Sequence, residues 1–140
     1  MKVIHWLSAG ALLASVGAAP AVAQKTLVAP GPRGDLAGTL VAPAEGQPLV
    51  LIIPGSGPTD RDGNSPLGVT AAPYRLLADA LAERGIGTLR IDKRGMFASK
   101  AAVADANAVT IADYVTDTAS WVGAARTATG AECLWLLGHS

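Results

Sequence analysis

Apolar positions along this chain gather into short continuous runs separated by clusters of glycine and proline, a pattern that predicts buried strands joined by helices. Leu49-Val50-Leu51-Ile52-Ile53 is apolar at every position. A strand without a polar face belongs inside a sheet covered on both sides, which points to parallel α/β architecture. It ends at Pro54-Gly55-Ser56-Gly57-Pro58, because two prolines and two glycines in five residues cannot continue a ladder. Residues 73–85 then read as a helix. Pro73 suits the first turn, Leu76, Leu77, Ala80 and Leu81 make one apolar face, and Gly85 ends it. Thr88-Leu89-Arg90-Ile91 is the next strand, and its connection from Ile53 is long enough for a right-handed crossover.

A second helix opens at Thr110 as N-cap, with Asp113 in its first turn. Ile111, Val115, Thr118, Val122 and Ala125 mark its expected core stripe, and Gly130 stops it. Glu132 to Leu137 is the third core strand. Upstream, Thr26 to Ala29 and Leu36 to Val41 are β-prone runs on either side of Pro30-Gly31-Pro32-Arg33-Gly34, and read as a hairpin near the margin of the sheet. Met96 to Val109 is Ala-rich without a clear period, a loop with room for one helical turn. The order strand, helix, strand, helix, strand is a doubly wound α/β pattern. No repeat or second domain is visible in the sequence.

The first residues stand apart from this pattern. Lys2 and His5 form a short basic start, Trp6 to Ala19 is apolar, and Ala21-Val22-Ala23 has the small-x-small form of a cleavage site. Residues 1–23 are therefore expected to be a signal peptide, and 24–140 the globular part, exported to the periplasm or the outside. A transmembrane span is disfavoured, because the apolar stretch falls short of the roughly 20 residues a bilayer requires and is broken by Gly10, Gly17 and Pro20. Eleven basic residues balance eleven acidic ones, and removing Lys2 leaves ten against eleven. No charge excess favours nucleic acid or an anionic membrane surface. The one cysteine, Cys133, has no intrachain partner and is expected to be a buried, inert thiol.

The last strand opens into Gly138-His139-Ser140, the first three positions of G-x-S-x-G, a strand-to-helix turn that lifts a serine above the sheet edge. The trailing glycine would be the second residue beyond Ser140. Three segments together resemble the α/β-hydrolase superfamily: the Pro54-Gly55-Ser56-Gly57-Pro58-Thr59-Asp60-Arg61-Asp62-Gly63-Asn64 loop, the Asp92-Lys93-Arg94-Gly95 turn and the Gly138-His139-Ser140 elbow. Within it, the chain looks like the esterases and serine-aminopeptidase-like hydrolases that carry a Gly-Ser-Gly-Pro-x-Asp-Arg-Asp loop. The resemblance implies the N-terminal half of an α/β-hydrolase fold: a hairpin, then β-α-β-α-β ending at the nucleophile elbow.

It also implies roles. Ser140 maps onto the nucleophile. The amide N–H of Ser56, with that of Gly55 as alternative, maps onto the oxyanion donor, its partner being the amide of the residue after the serine. In this fold the acid and the histidine that activate the serine follow it in the chain. His5 in the signal segment and His139 inside the elbow are not in a position to be that base. Many relatives have histidine where Pro54 stands, so a side chain that often braces the loop is missing here. The chain by itself is expected to give no turnover, with Leu134 to Leu137 left as an uncovered apolar edge.

Other chemistries fit less well. Asp60-Arg61-Asp62-Gly63-Asn64 begins like a calcium loop, but Ser65 stands where glycine is required and Ala71 where the bidentate glutamate belongs. The Gly55-Ser56-Gly57 run lacks the third glycine of a dinucleotide fingerprint, and no Gly-Lys-Ser/Thr occurs. No metal and no cofactor are implied. Arg61 or Arg94 is expected to brace the rim loops through charge-assisted hydrogen bonds in preference to binding substrate. Trp121, Trp135 and Tyr114 read as core or packing aromatics. The expected substrate is a small-molecule ester. An aminopeptidase-like amide hydrolase is the alternative within the fold, and a non-catalytic chain that at most binds is the alternative of another class. The oligomeric state is not encoded.

Overall fold

The computed structural model describes residues 22–139. Most of the expected signal segment, up to position 21, and Ser140 lie outside the described residues. The architecture is a five-stranded mixed sheet in the spatial order β1-β2-β4-β3-β5 with helices packed on it. Strands β1 (Gln24–Pro30) and β2 (Asp35–Val41) form an antiparallel hairpin paired over seven residue couples, from Gln24 with Val41 to Pro30 with Asp35. β1 is at the margin, as expected, whereas β2 is interior and pairs antiparallel with β4 (Gly87–Ile91). β4 runs parallel to β3 (Leu49–Ile53), and β3 runs parallel to β5 (Leu134–Gly138).

The helices are α1 (Pro73–Ala82) and α2 (Ile111–Thr129). α1 connects the neighbouring strands β3 and β4, while α2 carries the chain from β4 past β3 to β5. Side chains alternate across a strand, so Leu49, Leu51, Leu89 and Ile91 face one way and Ile52, Thr88 and Arg90 the other. The first set joins Leu36, Leu40, Trp121 and Ala125 of α2 in the main core. Gly38 permits this packing: a Cβ there would stand 3.0 Å from the Trp121 ring and 3.1 Å from Leu89.

The helical faces differ from those expected. On α2 the buried positions are Asp117, Trp121 and Ala125, whereas Ile111 and Val115 are 83% and 64% exposed. The stripe is rotated because its first turn serves an ion pair instead of the core. On α1 the buried residues are Tyr74 and Ala78, while Leu76 is exposed. Cys133 precedes β5, the edge strand of the described sheet, and is exposed, not buried. Trp135 and Leu136 on β5 are 63% and 56% exposed, so Trp135 is not a core residue among those described. The Ala-rich segment after β4 forms two short 3-10 helices, Phe97–Ala102 and Ala106–Ala108.

The N-terminus of α2 is closed by a capping box. The Thr110 hydroxyl accepts from the Asp113 amide at 3.3 Å, and the Asp113 carboxylate accepts from the Thr110 amide at 2.8 Å. The Thr110 amide, then its hydroxyl, and also Arg94, hold the Asp113 carboxyl below its ordinary range. A carboxyl depressed in the folded state contributes stability in full above the ordinary aspartate range, and that contribution is lost as pH falls through the lower folded value. Thermal unfolding followed from neutral pH down to about pH 3 is therefore expected to fall less steeply on the acid side for Asp113→Asn than for the parent chain. Parallel curves would contradict this.

Candidate active site

β3, β4 and β5 are mutually parallel, so their C-terminal ends reach the same edge of the sheet. The connections from β3 and β4 leave towards different neighbours, one staying beside β3 and the other crossing it. In open α/β sheets such a reversal leaves a crevice outside the strand carboxyl ends, the usual place for a ligand. Three segments meet there: the loop after Ile53, the turn after Ile91 and Gly138-His139.

The last of these is held close to the first. Gly138 is paired with Ile53, and the His139 amide donates to the Ile53 carbonyl at 3.1 Å. The His139 ring stacks edge-on against Tyr74 with ring centroids 5.8 Å apart. This contact places the exposed imidazole against the first turn of α1. Tyr74 in turn offers its phenol oxygen to the Gly55 amide at 3.5 Å, a long contact. Gly55 is buried and Ser56 is exposed. The Gly55 amide is thus directed at Tyr74, while the Ser56 amide makes no hydrogen bond among the described residues.

The long loop behind Ser56 is organised by its own carboxylates. Asp60 accepts from the amides of Asp62 at 2.9 Å and Asn64 at 2.8 Å, an Asx-type arrangement that replaces the missing ladder. The Asn64 side-chain oxygen accepts from the Ala72 amide at 2.9 Å, tying the loop's end to the start of α1. Asp62 pairs with Arg90, which also donates to the Gln24 side chain at 2.9 Å. Burial pushes the Arg90 guanidinium below its ordinary value. Among the described residues no group of three or more histidine, cysteine, aspartate or glutamate side chains is placed to hold a metal ion.

The Asp92-Lys93-Arg94-Gly95 turn supplies the connections between loops. Asp92 is 2% exposed and accepts from the Arg61 amide at 2.9 Å, from Arg61 Nε at 3.1 Å and Nη2 at 2.5 Å, and from the Ala98 amide at 3.1 Å. Arg94 donates to both Asp117 oxygens, Nε at 2.7 Å and Nη2 at 2.6 Å, and to Asp113 at 2.8 Å. The Asp117 hydrogen bond raises the Arg94 value further, against the cost of burial. Both arginines are therefore braces: Arg61 ties the loop after β3 to the end of β4, and Arg94 ties the end of β4 to α2. Gly95 makes the reversal possible at φ +77°, where a Cβ would stand 2.8 Å from Val103 and 2.9 Å from Ala106.

Lys93 was not singled out from the sequence. Its side chain is buried, and Nζ donates to the carbonyls of Gly55 and of Gly57, the latter at 2.9 Å. Burial lowers its pKa. A lysine leaving a wholly buried strand was the available signal, because such an ammonium must find acceptors within its own turn or the next loop. Tyr74 and Asp117 were missed for a related reason, being polar groups on faces read for apolar spacing.

A separate concavity of about 480 Å3 lies beside Pro43–Gln47 and Thr129–Cys133, ahead of β3 and β5 and so at the opposite end of the sheet. It touches neither Gly138-His139 nor the Gly55–Gly57 loop. The rim is the better candidate, because it gathers the Gly-Ser-Gly loop and the Gly-His turn.

Comparison with solved structures finds XC6422 from Xanthomonas campestris, an α/β serine hydrolase without a lid, at a TM-score of 0.55 and 22% identity. The likeness covers 84% of this chain and 50% of that one. The fold is that of part of an α/β hydrolase. The chain thus spans about half the length of this α/β hydrolase, and the expected fold class, a hairpin followed by β-α-β-α-β, is the one observed. No family model matches the chain, and no curated protein matches it either.

Proposed function

We propose that this chain carries the nucleophile side of a serine hydrolase that cleaves esters of small or medium carboxylic acids through an acyl-enzyme. Ser140 is the nucleophile in this reading, and the Ser56 amide is one of two oxyanion donors. The observation that supports it most is the register of β3 and β5, which pairs Gly138 with Ile53 and ties the His139 amide to the Ile53 carbonyl, where the Gly55-Ser56 loop begins. The likeness to an α/β serine hydrolase agrees with that placement.

The chemistry divides as follows. The Ser140 Oγ attacks the ester carbonyl carbon while a base takes its proton, and the carbonyl oxygen becomes an oxyanion. Two amide donors hold that charge. Collapse of the intermediate expels the alcohol with the returned proton, and water then releases the acid by the same route. In this reading the base and its orienting acid come from chain beyond Ser140, which accords with the match to about half of the solved hydrolase.

A fluorophosphonate probe tests the reading on the full-length product. Stoichiometric labelling is expected at Ser140, lost in Ser140→Ala, together with hydrolysis of p-nitrophenyl acetate or butyrate. Absence of labelling, or equal labelling of the alanine variant, overturns it. Labelling with faster cleavage of an aminoacyl anilide than of either ester would instead identify the amide-cleaving branch. The 140-residue chain alone is expected to show no ester turnover.

A further inference from the structure

We infer that Lys93 is a positioning residue for the oxyanion amide, its ammonium fixing and polarising the Gly55–Ser56 peptide group from behind. The inference rests on the serine-hydrolase reading, but its geometry is independent of it. The carbonyl of Gly55, which accepts from Lys93 Nζ, and the amide of Ser56 belong to one peptide unit. None of the described peptide bonds is cis. In a planar trans unit the C=O and the N–H point in opposite directions. Anchoring the oxygen on the β4 side therefore sends the Ser56 N–H away from β4.

A second anchor keeps the unit from rotating. Lys93 Nζ also donates to the Gly57 carbonyl at 2.9 Å, so the ammonium bridges the carbonyls of the two glycines on either side of Ser56. Glycines at 55 and 57 leave this backbone intrinsically free, with Gly57 at φ +72°, and Pro54 provides no bracing side chain. The restraint that the loop's own residues lack thus comes from the neighbouring turn. The ammonium has a further effect. A charged donor on a carbonyl polarises the amide at the other end of the same peptide group, which strengthens that N–H as a donor. The side chain sits in its place at a desolvation cost, with no carboxylate among its hydrogen-bond partners in the described residues. Solubility or surface charge does not explain a lysine held in this way.

Lys93 is thus assigned no contact with the substrate; it acts through Ser56. Lys93→Met keeps the length of the stem and removes the donors. On the full-length product, kcat for p-nitrophenyl butyrate is expected to fall about 10- to 100-fold while KM stays within about twofold, since only the transition state develops the oxyanion. The melting temperature is expected to change little by comparison.

Two NMR measurements on 15N-labelled protein complete the test. The wild-type Lys93 ammonium is expected to give a slowly exchanging Nζ–H signal, and the Ser56 amide proton is expected to move upfield in Lys93→Met by more than the amides of Thr59 and Asp60. Unchanged kcat, an unmoved Ser56 amide or a rapidly exchanging Lys93 ammonium each overturns the inference. If the wild type neither labels nor turns over, the hydrolase reading falls, while the two NMR signals still decide whether the clamp exists. If Lys93→Met fails to fold, the wild-type ammonium signal and the Lys93→Gln variant decide.

Discussion

Asp92→Ala is expected to destabilise the chain by about 3–5 kcal/mol, the range for removing one partner of a buried ion pair. The Asp92 side chain is 3% exposed and that of Arg61 18%, so neither charge is well screened by water. Truncation removes four acceptor contacts at once: two from the Arg61 guanidinium and two from the amides of Arg61 and Ala98. Among the described residues the guanidinium would keep only its 3.3 Å contact with Thr39 Oγ1. Because domains are stable by only about 5–15 kcal/mol, such a loss is a large fraction of the total. Urea unfolding of the parent, Asp92→Ala, Arg61→Met and the double variant measures it. The double variant is expected to be more stable than Asp92→Ala, because it no longer leaves a cation stranded. A single-variant loss within about 1 kcal/mol, in the range of an exposed pair, would mean that Arg61 does not hold the loop to β4.

The second large effect lies at the junction of β4 with α2. Asp117→Ala is expected to cost about 2–4 kcal/mol, somewhat under the full range for a broken buried pair, because Arg94 keeps its contacts to the side chain and carbonyl of Asp113. The pair is well shielded, with side chains 6% and 8% exposed. Arg94→Met combined with Asp117→Leu is expected to recover most of the loss, since well-packed apolar groups often replace a buried pair at little cost. Thermal and urea unfolding of the parent and of these two variants separate the outcomes. A double variant as unstable as Asp117→Ala would show that the arginine is required for its hydrogen bonds to the first turn of α2, not for neutralising Asp117. Either perturbation is also expected to lower fluorophosphonate labelling, because both braces end at the rim.

Much of the strand order along the chain was legible in the amino acids. Leu49 to Ile53, with no polar position, had to be an interior strand, and its burial follows from having no face that water would favour. The start of α2 was readable from Thr110 as N-cap with Asp113 in the first turn, because capping is local chemistry. The face of that helix was not readable. Asp113, Asp117, Trp121 and Ala125 lie at regular spacings of four, but two carboxylates at its start disguise the stripe as solvent-facing. Only the arrival of Arg94 from another element turns Asp117 inward.

The candidate site divides in the same way. Glycines and prolines at 54–58 and the Gly-His-Ser turn announce loops at strand ends, since their backbone demands are written in residue type. That the two loops adjoin depends on β5 pairing with β3 and not with β4, a choice made by the crossing of α2 over the sheet. The roles within the Asp92-Lys93-Arg94 turn were likewise beyond local reading. Three consecutive charged residues find three separate partners, on the 61 loop, the 55–57 loop and α2, at sequence separations of 31, 38 and 23. Sequence by itself determined which segments are strands, helices and turns, because those depend on short-range sterics and on water's rejection of apolar runs. Tertiary structure alone decided which charges are buried together and which amide is left unpaired, because a buried charge is tolerated only where distant chain supplies its counterpart.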